Sequence, residues 1–98
     1  MGRIQSKRIT ADTNIIPASN IGVFNGVILT PTDTISAAVT ISIYADNTGN
    51  GTTNLVARYV LTPSSTLAHH YTDGILCRTG LRVESSSWTN LECFVLYS

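Results

Sequence analysis

The chain has few charged residues and no long apolar run. Charged side chains make up 12% of its 98 residues, and six basic residues balance six acidic ones. This neutral balance gives no general attraction to nucleic acid or to an anionic membrane, so we expect neither as a partner. No apolar run approaches the roughly 20 residues that a membrane-spanning helix needs. The N-terminus also lacks the apolar segment of a signal peptide, and we expect none.

Cysteine is scarce as well, and its spacing argues against a metal site. Cys77 and Cys93 are separated by 16 positions with no CxxC motif. His69 and His70 are adjacent, so in a strand they point to opposite faces and cannot share a metal. We therefore expect no metal and no cofactor. The cysteines are either buried thiols in a reducing cytoplasm or, if their Cα atoms approach within about 7 Å, a disulfide between neighbouring strands.

Catalytic and calcium-binding patterns are also missing. No nucleophile elbow accompanies the histidine pair, which we interpret as structural and partly exposed. Residues 46–51 resemble the start of a calcium loop, but Asp46 is their only carboxylate and Ala57 stands where an EF-hand requires glutamate. We interpret this segment as a turn. The sequence predicts a protein that is not an enzyme.

The residues that are abundant favour β-structure. Apolar residues make up 43% of the chain, and 14 threonines and 10 serines supply much of its polarity. Residues 37–62 predict a hairpin, because Val39, Ile41 and Ile43 alternate with polar residues before the turn and a similar alternation follows it. We expect this hairpin to be the solvent-facing side of the molecule, with its turn projecting.

Two other predicted strands, residues 21–30 and 91–97, are apolar on both faces. Such a strand is either central in a sandwich or covered on its outer face by another chain. Gly22 and Gly26 interrupt the first strand and indicate a bulge or a close backbone approach. The faces predicted from simple alternation are Ile21, Val23, Val27 and Leu29 against Phe24 and Ile28, and Cys93 and Val95 against Phe94 and Leu96.

The overall pattern predicts an all-β protein with one domain spanning residues 1–98. Six to eight antiparallel strands, with turn signals at near-regular spacing, indicate a small β-sandwich of jelly-roll or Greek-key type. We also expect residues 75–84 to form one strand with Gly80 at a bend. Residues 1–10 carry three of the six basic residues. They form either an edge strand or an arm that orders on a partner.

From residue 21 onward the chain resembles small β-sandwich virion proteins of tailed bacteriophages. In such chains a basic leading strand precedes a Gly-Val strand, here Gly26 and Val27. A "VTIYDN"-like strand and turn follow, matched by residues 39–47, and then a Leu-Thr-Pro turn, matched by residues 61–63. A "DGI…GLYV" segment corresponds to residues 73–83, and the last strand ends in an aromatic residue, as Tyr97 does here.

The resemblance implies a capsid cement or decoration subunit in the virion, assembled in the host cytoplasm. Its expected partners are the major capsid protein or another virion protein, together with further copies of itself as a homo-oligomer. We expect the basic N-terminal segment to dock on an acidic shell surface or on a neighbouring subunit, and its deletion to abolish particle binding without unfolding the chain. The candidate partner-binding residues are Arg3, Lys7, Arg8, Phe24, Ile28 and Phe94.

An alternative keeps the virion but changes the role. A tail- or fibre-associated β-sandwich can bind a host glycan or receptor through exposed aromatic and polar side chains. The residues that would serve are Trp88, Tyr44, Tyr71 and Asn47.

Overall fold

The computed structural model describes residues 3–17, 20–32, 37–46, 54–62 and 66–98. In chain order these residues form β1 Gln5–Ile9, β2 Thr13–Ile16, β3 Gly22–Pro31, β4 Val39–Tyr44, β5 Leu55–Leu61, β6 Leu67–Cys77, β7 Leu81–Ser85 and β8 Leu91–Tyr97. All pairings between strands are antiparallel. The predicted all-β class is therefore confirmed. No helix in the described part has the length and apolarity needed to cross a membrane.

The strands form two four-stranded sheets packed face to face. Sheet A has the order β1-β8-β3-β6, and sheet B has the order β2-β7-β4-β5. The first strand pairs with the eighth, the second with the seventh, the third with the sixth and the fourth with the fifth. The chain is thus one long hairpin of nested strand pairs, rolled around a core. This is the jelly-roll arrangement of a β-sandwich.

The core lies between the sheets because alternate residues of each strand point inward. Sheets packed in this way bury one face each and leave the other face outward. The fully or almost fully buried apolar side chains come from seven of the eight strands; they are Ile9, Phe24, Val27, Leu29, Ile41, Ile43, Leu61, Cys77, Leu81, Val83, Cys93 and Val95. Trp88 packs against the edge of this core.

The predicted hairpin is the β4–β5 pair, with Val39 opposite Leu61 and Ile41 opposite Tyr59. Its loop is held at the base, where the amide of Ala45 donates to the carbonyl oxygen of Asn54 over 2.9 Å. The predicted turn falls largely on residues 47–51, which lie outside the described residues, so its projection stays a prediction.

A bulge in β3 makes the predicted faces of that strand wrong. The register against both β6 and β8 shifts between Phe24 and Gly26. The extra residue reverses the alternation. Phe24 therefore points inward with Val27, whereas Val23 pairs with Leu76 and points outward with Ile28.

The N-terminal segment is an edge strand of the sandwich and not a free arm. Its residues 5–9 pair with β8 in unbroken register, and the side chain of Ile9 is buried in the core. The chain then crosses to sheet B, where β2 pairs with β7.

The predicted single strand over residues 75–84 is also wrong. It contains the end of β6 and the start of β7, which belong to different sheets. Gly80 lies between them with φ +108°, a backbone conformation that favours glycine. β6 itself runs without a break through Asp73 and Gly74, and Gly74 has φ +73° there.

Candidate functional site

The outer face of sheet A is lined by apolar side chains. Ile28 in β3 lies opposite Phe94 in β8 and opposite Ala68 in β6, so the three form one row across the sheet. Val23 and Leu76 form a second pair beyond the bulge. We call this surface the apolar face, and its members are Val23, Ile28, Ala68, Leu76, Phe94 and Leu96.

Water reaches the large members of this face. The exposed fraction is 39% for Ile28 and 50% for Leu76. The face arises because β3 and β8 are the two central strands of sheet A and carry apolar residues at both inward and outward positions. Neighbouring apolar side chains that remain exposed mark a surface suited to a partner.

A basic residue borders the apolar face. Arg8 in β1 lies opposite Phe94 and so belongs to the same outer face. Its Nε lies 3.8 Å from Glu92 Oε1, an exposed ion pair of the kind that adds little stability. Arg3 and Lys7 are exposed, and neither forms a salt bridge with a described residue.

The outer face of sheet B is polar by contrast. Arg82 Nε donates to Glu84 Oε2 over 2.7 Å, and its Nη1 donates to Asn14 Oδ1 over 2.8 Å. Val60 is 52% exposed on this face, where it lies opposite Thr40. The two outer faces therefore differ in character, and the face carrying the hairpin is the polar one.

The structure brings three of the predicted partner-binding residues together. Arg8, Phe94 and Ile28 occupy one row of the outer face of sheet A. Lys7 lies opposite the inward-facing Val95, so its side chain leaves the other side of β1. Arg3 precedes β1.

The prediction that Phe24 binds a partner is wrong. Its side chain is 0% exposed in the core, and its ring packs 5.8 Å from the ring of Tyr71, centroid to centroid. Val23 points outward and lies opposite Leu76, although simple alternation groups Val23 with Val27 and Leu29. Only knowledge of the bulge and of the β3–β6 register could have identified them.

An aromatic cluster bridges the open side between β5 and β6. Tyr59 Oη lies 3.0 Å from His69 Nδ1, and the ring centroids of His69 and Tyr71 are 4.2 Å apart. Burial is the larger cause that raises the pKa of the Tyr59 phenol, and the neighbouring Tyr71 hydroxyl raises it further. The phenol of Tyr59 therefore stays protonated, and the tautomer of the His69 imidazole sets which of the two groups donates this hydrogen bond. His70 lies opposite Gly26 and is exposed.

The two cysteines are free and buried. Cys77 lies opposite Gly22 and Cys93 lies opposite Leu29, at opposite ends of β3, so the two thiols cannot form a disulfide in this fold. Burial raises the pKa of both thiols, to about 12 for Cys93. Among the described residues no three His, Cys, Asp or Glu side chains are grouped so that they could hold a metal ion.

The described residues of the glycan alternative do not meet at one place. Tyr44 is buried, Tyr71 packs in the aromatic cluster between the sheets, and Asn47 lies outside the described residues. Trp88 Nε1 donates to Asp12 Oδ1 over 2.8 Å. The same carboxylate oxygen accepts from the amide of Ser85 over 3.1 Å, so Asp12 joins the β1–β2 connection to the loop before β8.

Comparison with known protein families, with characterised proteins and with solved structures finds no match to this chain.

Proposed function

We propose that this chain is a structural subunit of a tailed-phage virion, a cement or decoration protein that covers its apolar face against the outer shell. The observation that carries this proposal is the contrast between the two sheets. Sheet A presents Ile28, Leu76 and their neighbours to water, whereas sheet B presents the Arg82–Glu84 ion pair and the Asn14 amide together with Val60. A partner that covers sheet A removes exposed apolar surface at roughly 25 cal/mol per Å².

The apolar face would form the centre of an interface with the shell. A standard interface buries about 800 Å² on each partner, so polar neighbours of the six apolar side chains would form its rim. Because a shell displays many copies of its capsomers, modest contacts repeated over many subunits stabilise the particle together. The partner on the shell would be the major capsid protein or another virion protein, bound by a homo-oligomer of this chain.

The fold is compatible with this role but does not single it out. Jelly rolls occur among viral capsid domains and also among lectins and cupins, and fold alone does not determine function. The virion assignment rests on the resemblance of residues 21–97 to phage β-sandwich proteins, and the structure-based support is the apolar face. Arg8 at its margin adds a positive charge that would steer an acidic shell surface onto the same face.

The location of the protein in the virion tests the proposal. Antibody–gold labelling of virions from the phage whose genome carries the gene should decorate the whole shell, and particles grown without the gene should lose both the label and resistance to heat or low salt. Label confined to the tail would favour the glycan- or receptor-binding alternative. Unlabelled virions would contradict both.

A further inference from the structure

Among the strands of the described residues, β1 has the most regular and exposed free edge. β1 ends sheet A and pairs only with β8, over five residues without a register shift. Four of its five residues are exposed. The other edge strands are less suitable: β2 and β6 are irregular against their partners, and β5 is mostly half-buried or buried. No described backbone group bonds to the outer side of β1.

An edge of this kind accepts another strand, because its unpaired N–H and C=O groups can continue the sheet. The side chains of β1 decide which strand is suitable. Lys7 and Arg8 are consecutive, so they project from opposite faces of the strand. The Nε of Arg8 lies 3.8 Å from Oε1 of the partly exposed Glu92 carboxylate, and Lys7 forms no salt bridge with a described residue. The edge is therefore basic on both of its faces.

A second copy of the chain is a poor occupant of this edge. Antiparallel pairing of β1 with its own copy about a two-fold axis near the middle of the strand would place either Lys7 or Arg8 directly opposite the same residue of the other chain. Like charges that face each other across strands destabilise the pairing. The charges that prevent self-association are complementary to acidic side chains at two consecutive positions of an incoming strand.

We propose that the outer edge of β1 is a binding site for an extended acidic segment of another protein, which adds to sheet A as a fifth strand and places two consecutive carboxylates beside Lys7 and Arg8. Backbone hydrogen bonds would hold the added strand against β1, and the charges of Lys7 and Arg8 would select an acidic partner. The site adjoins the apolar face at Arg8, but it does not depend on the virion assignment.

The test is a titration of the ¹⁵N-labelled full chain with a synthetic peptide, acetyl-Thr-Val-Glu-Glu-Val-Thr-amide, followed by NMR. We expect chemical-shift changes centred on residues 5–9 and on the facing strand β8, and binding that weakens as salt is added. A peptide with Lys-Lys in place of Glu-Glu should not bind. Methyl groups on every second backbone nitrogen of the acidic peptide can occupy either of two alternating sets of positions. Only one set contains the N–H groups that face β1, so only that methylated peptide should lose binding.

Charge-reversed variants complete the test. The double variant Lys7→Glu and Arg8→Glu should weaken binding of the acidic peptide about tenfold and gain binding of the Lys-Lys peptide. Arg78→Glu makes the same kind of charge change in the exposed turn after β6 and should bind within about twofold of the unchanged chain. Absence of shifts at millimolar peptide, shifts away from β1, or equal binding by acidic and basic peptides would overturn the proposal. A failed virion experiment would leave this result unaffected.

Discussion

Gly26 determines which side chains of β3 reach the outer face of sheet A. It occupies the bulge with φ +142°, a conformation that side-chain-bearing residues rarely adopt. A Cβ built at this position would overlap the carbonyl oxygen of His69 on the neighbouring strand. One residue therefore permits the close approach of β3 and β6 and, through the reversed alternation, places Phe24 inside and Val23 outside.

Replacement of this glycine should be costly. Gly26→Ala should lower the free energy of unfolding by about 3 kcal/mol, because the alanine must either strain the backbone or displace β6. Urea denaturation followed by circular dichroism measures the change. Ser6→Ala, at an exposed position of β1, is the control and should stay within about 0.5 kcal/mol of the unchanged chain. Equal midpoints for Gly26→Ala and the unchanged chain would show that the bulge does not require glycine.

At the scale of the element, β1 has two roles that the sequence did not separate. Its inward residue Ile9 fills the core, and its backbone covers the edge of β8. Its positive charges lie on both sides of the strand, Arg8 on the outer face and Lys7 on the opposite one. The expectation that residues 1–10 can be removed without loss of the fold therefore conflicts with the structure, and deletion cannot by itself report on binding.

A chain beginning at residue 11 should be less stable by at least about 2 kcal/mol, since it loses the burial of Ile9 and uncovers the edge of a central strand. Thermal unfolding measured by circular dichroism should show a lower midpoint, and light scattering should show aggregation. A chain beginning at residue 4 retains β1 and should unfold like the full chain. Identical unfolding of both shortened chains would mean that β1 does not support the sandwich.

The sequence predicts an element well where one face is apolar and the other polar. The alternation over residues 39–44 is clean, and the β4–β5 hairpin was predicted with its inward residues. Alternation fails where a strand is apolar on both faces, because a one-residue bulge then leaves no visible change in the pattern. For this reason simple alternation groups Phe24 with Ile28, whereas the bulge places Phe24 in the core. The pairing of β3 with β6 depends on residues distant in the chain, which local patterns do not encode.

At the scale of the whole molecule, the jelly roll accounts for the asymmetry between its two outer faces. The nested pairing puts β8 and β3 side by side in the centre of sheet A, and these strands bring the outward apolar residues Val23, Ile28, Phe94 and Leu96 together. The outward positions of sheet B include Arg82, Glu84 and Asn14, with Val60 exposed on the same face. The class of fold was predictable from turn spacing and composition. The joining of two apolar strands into one face required the strand order.

We propose that the apolar face contacts the shell, and binding to particles that lack the chain tests this contact most directly. Purified Leu76→Lys and Ile28→Lys variants should each bind such particles at least about tenfold more weakly than the unchanged chain, because each would bury an unpaired ammonium group in the interface. Val60→Lys makes the same change on the outer face of sheet B and should bind within about twofold. Equal binding by all three variants, or loss of binding only in Val60→Lys, would contradict the account.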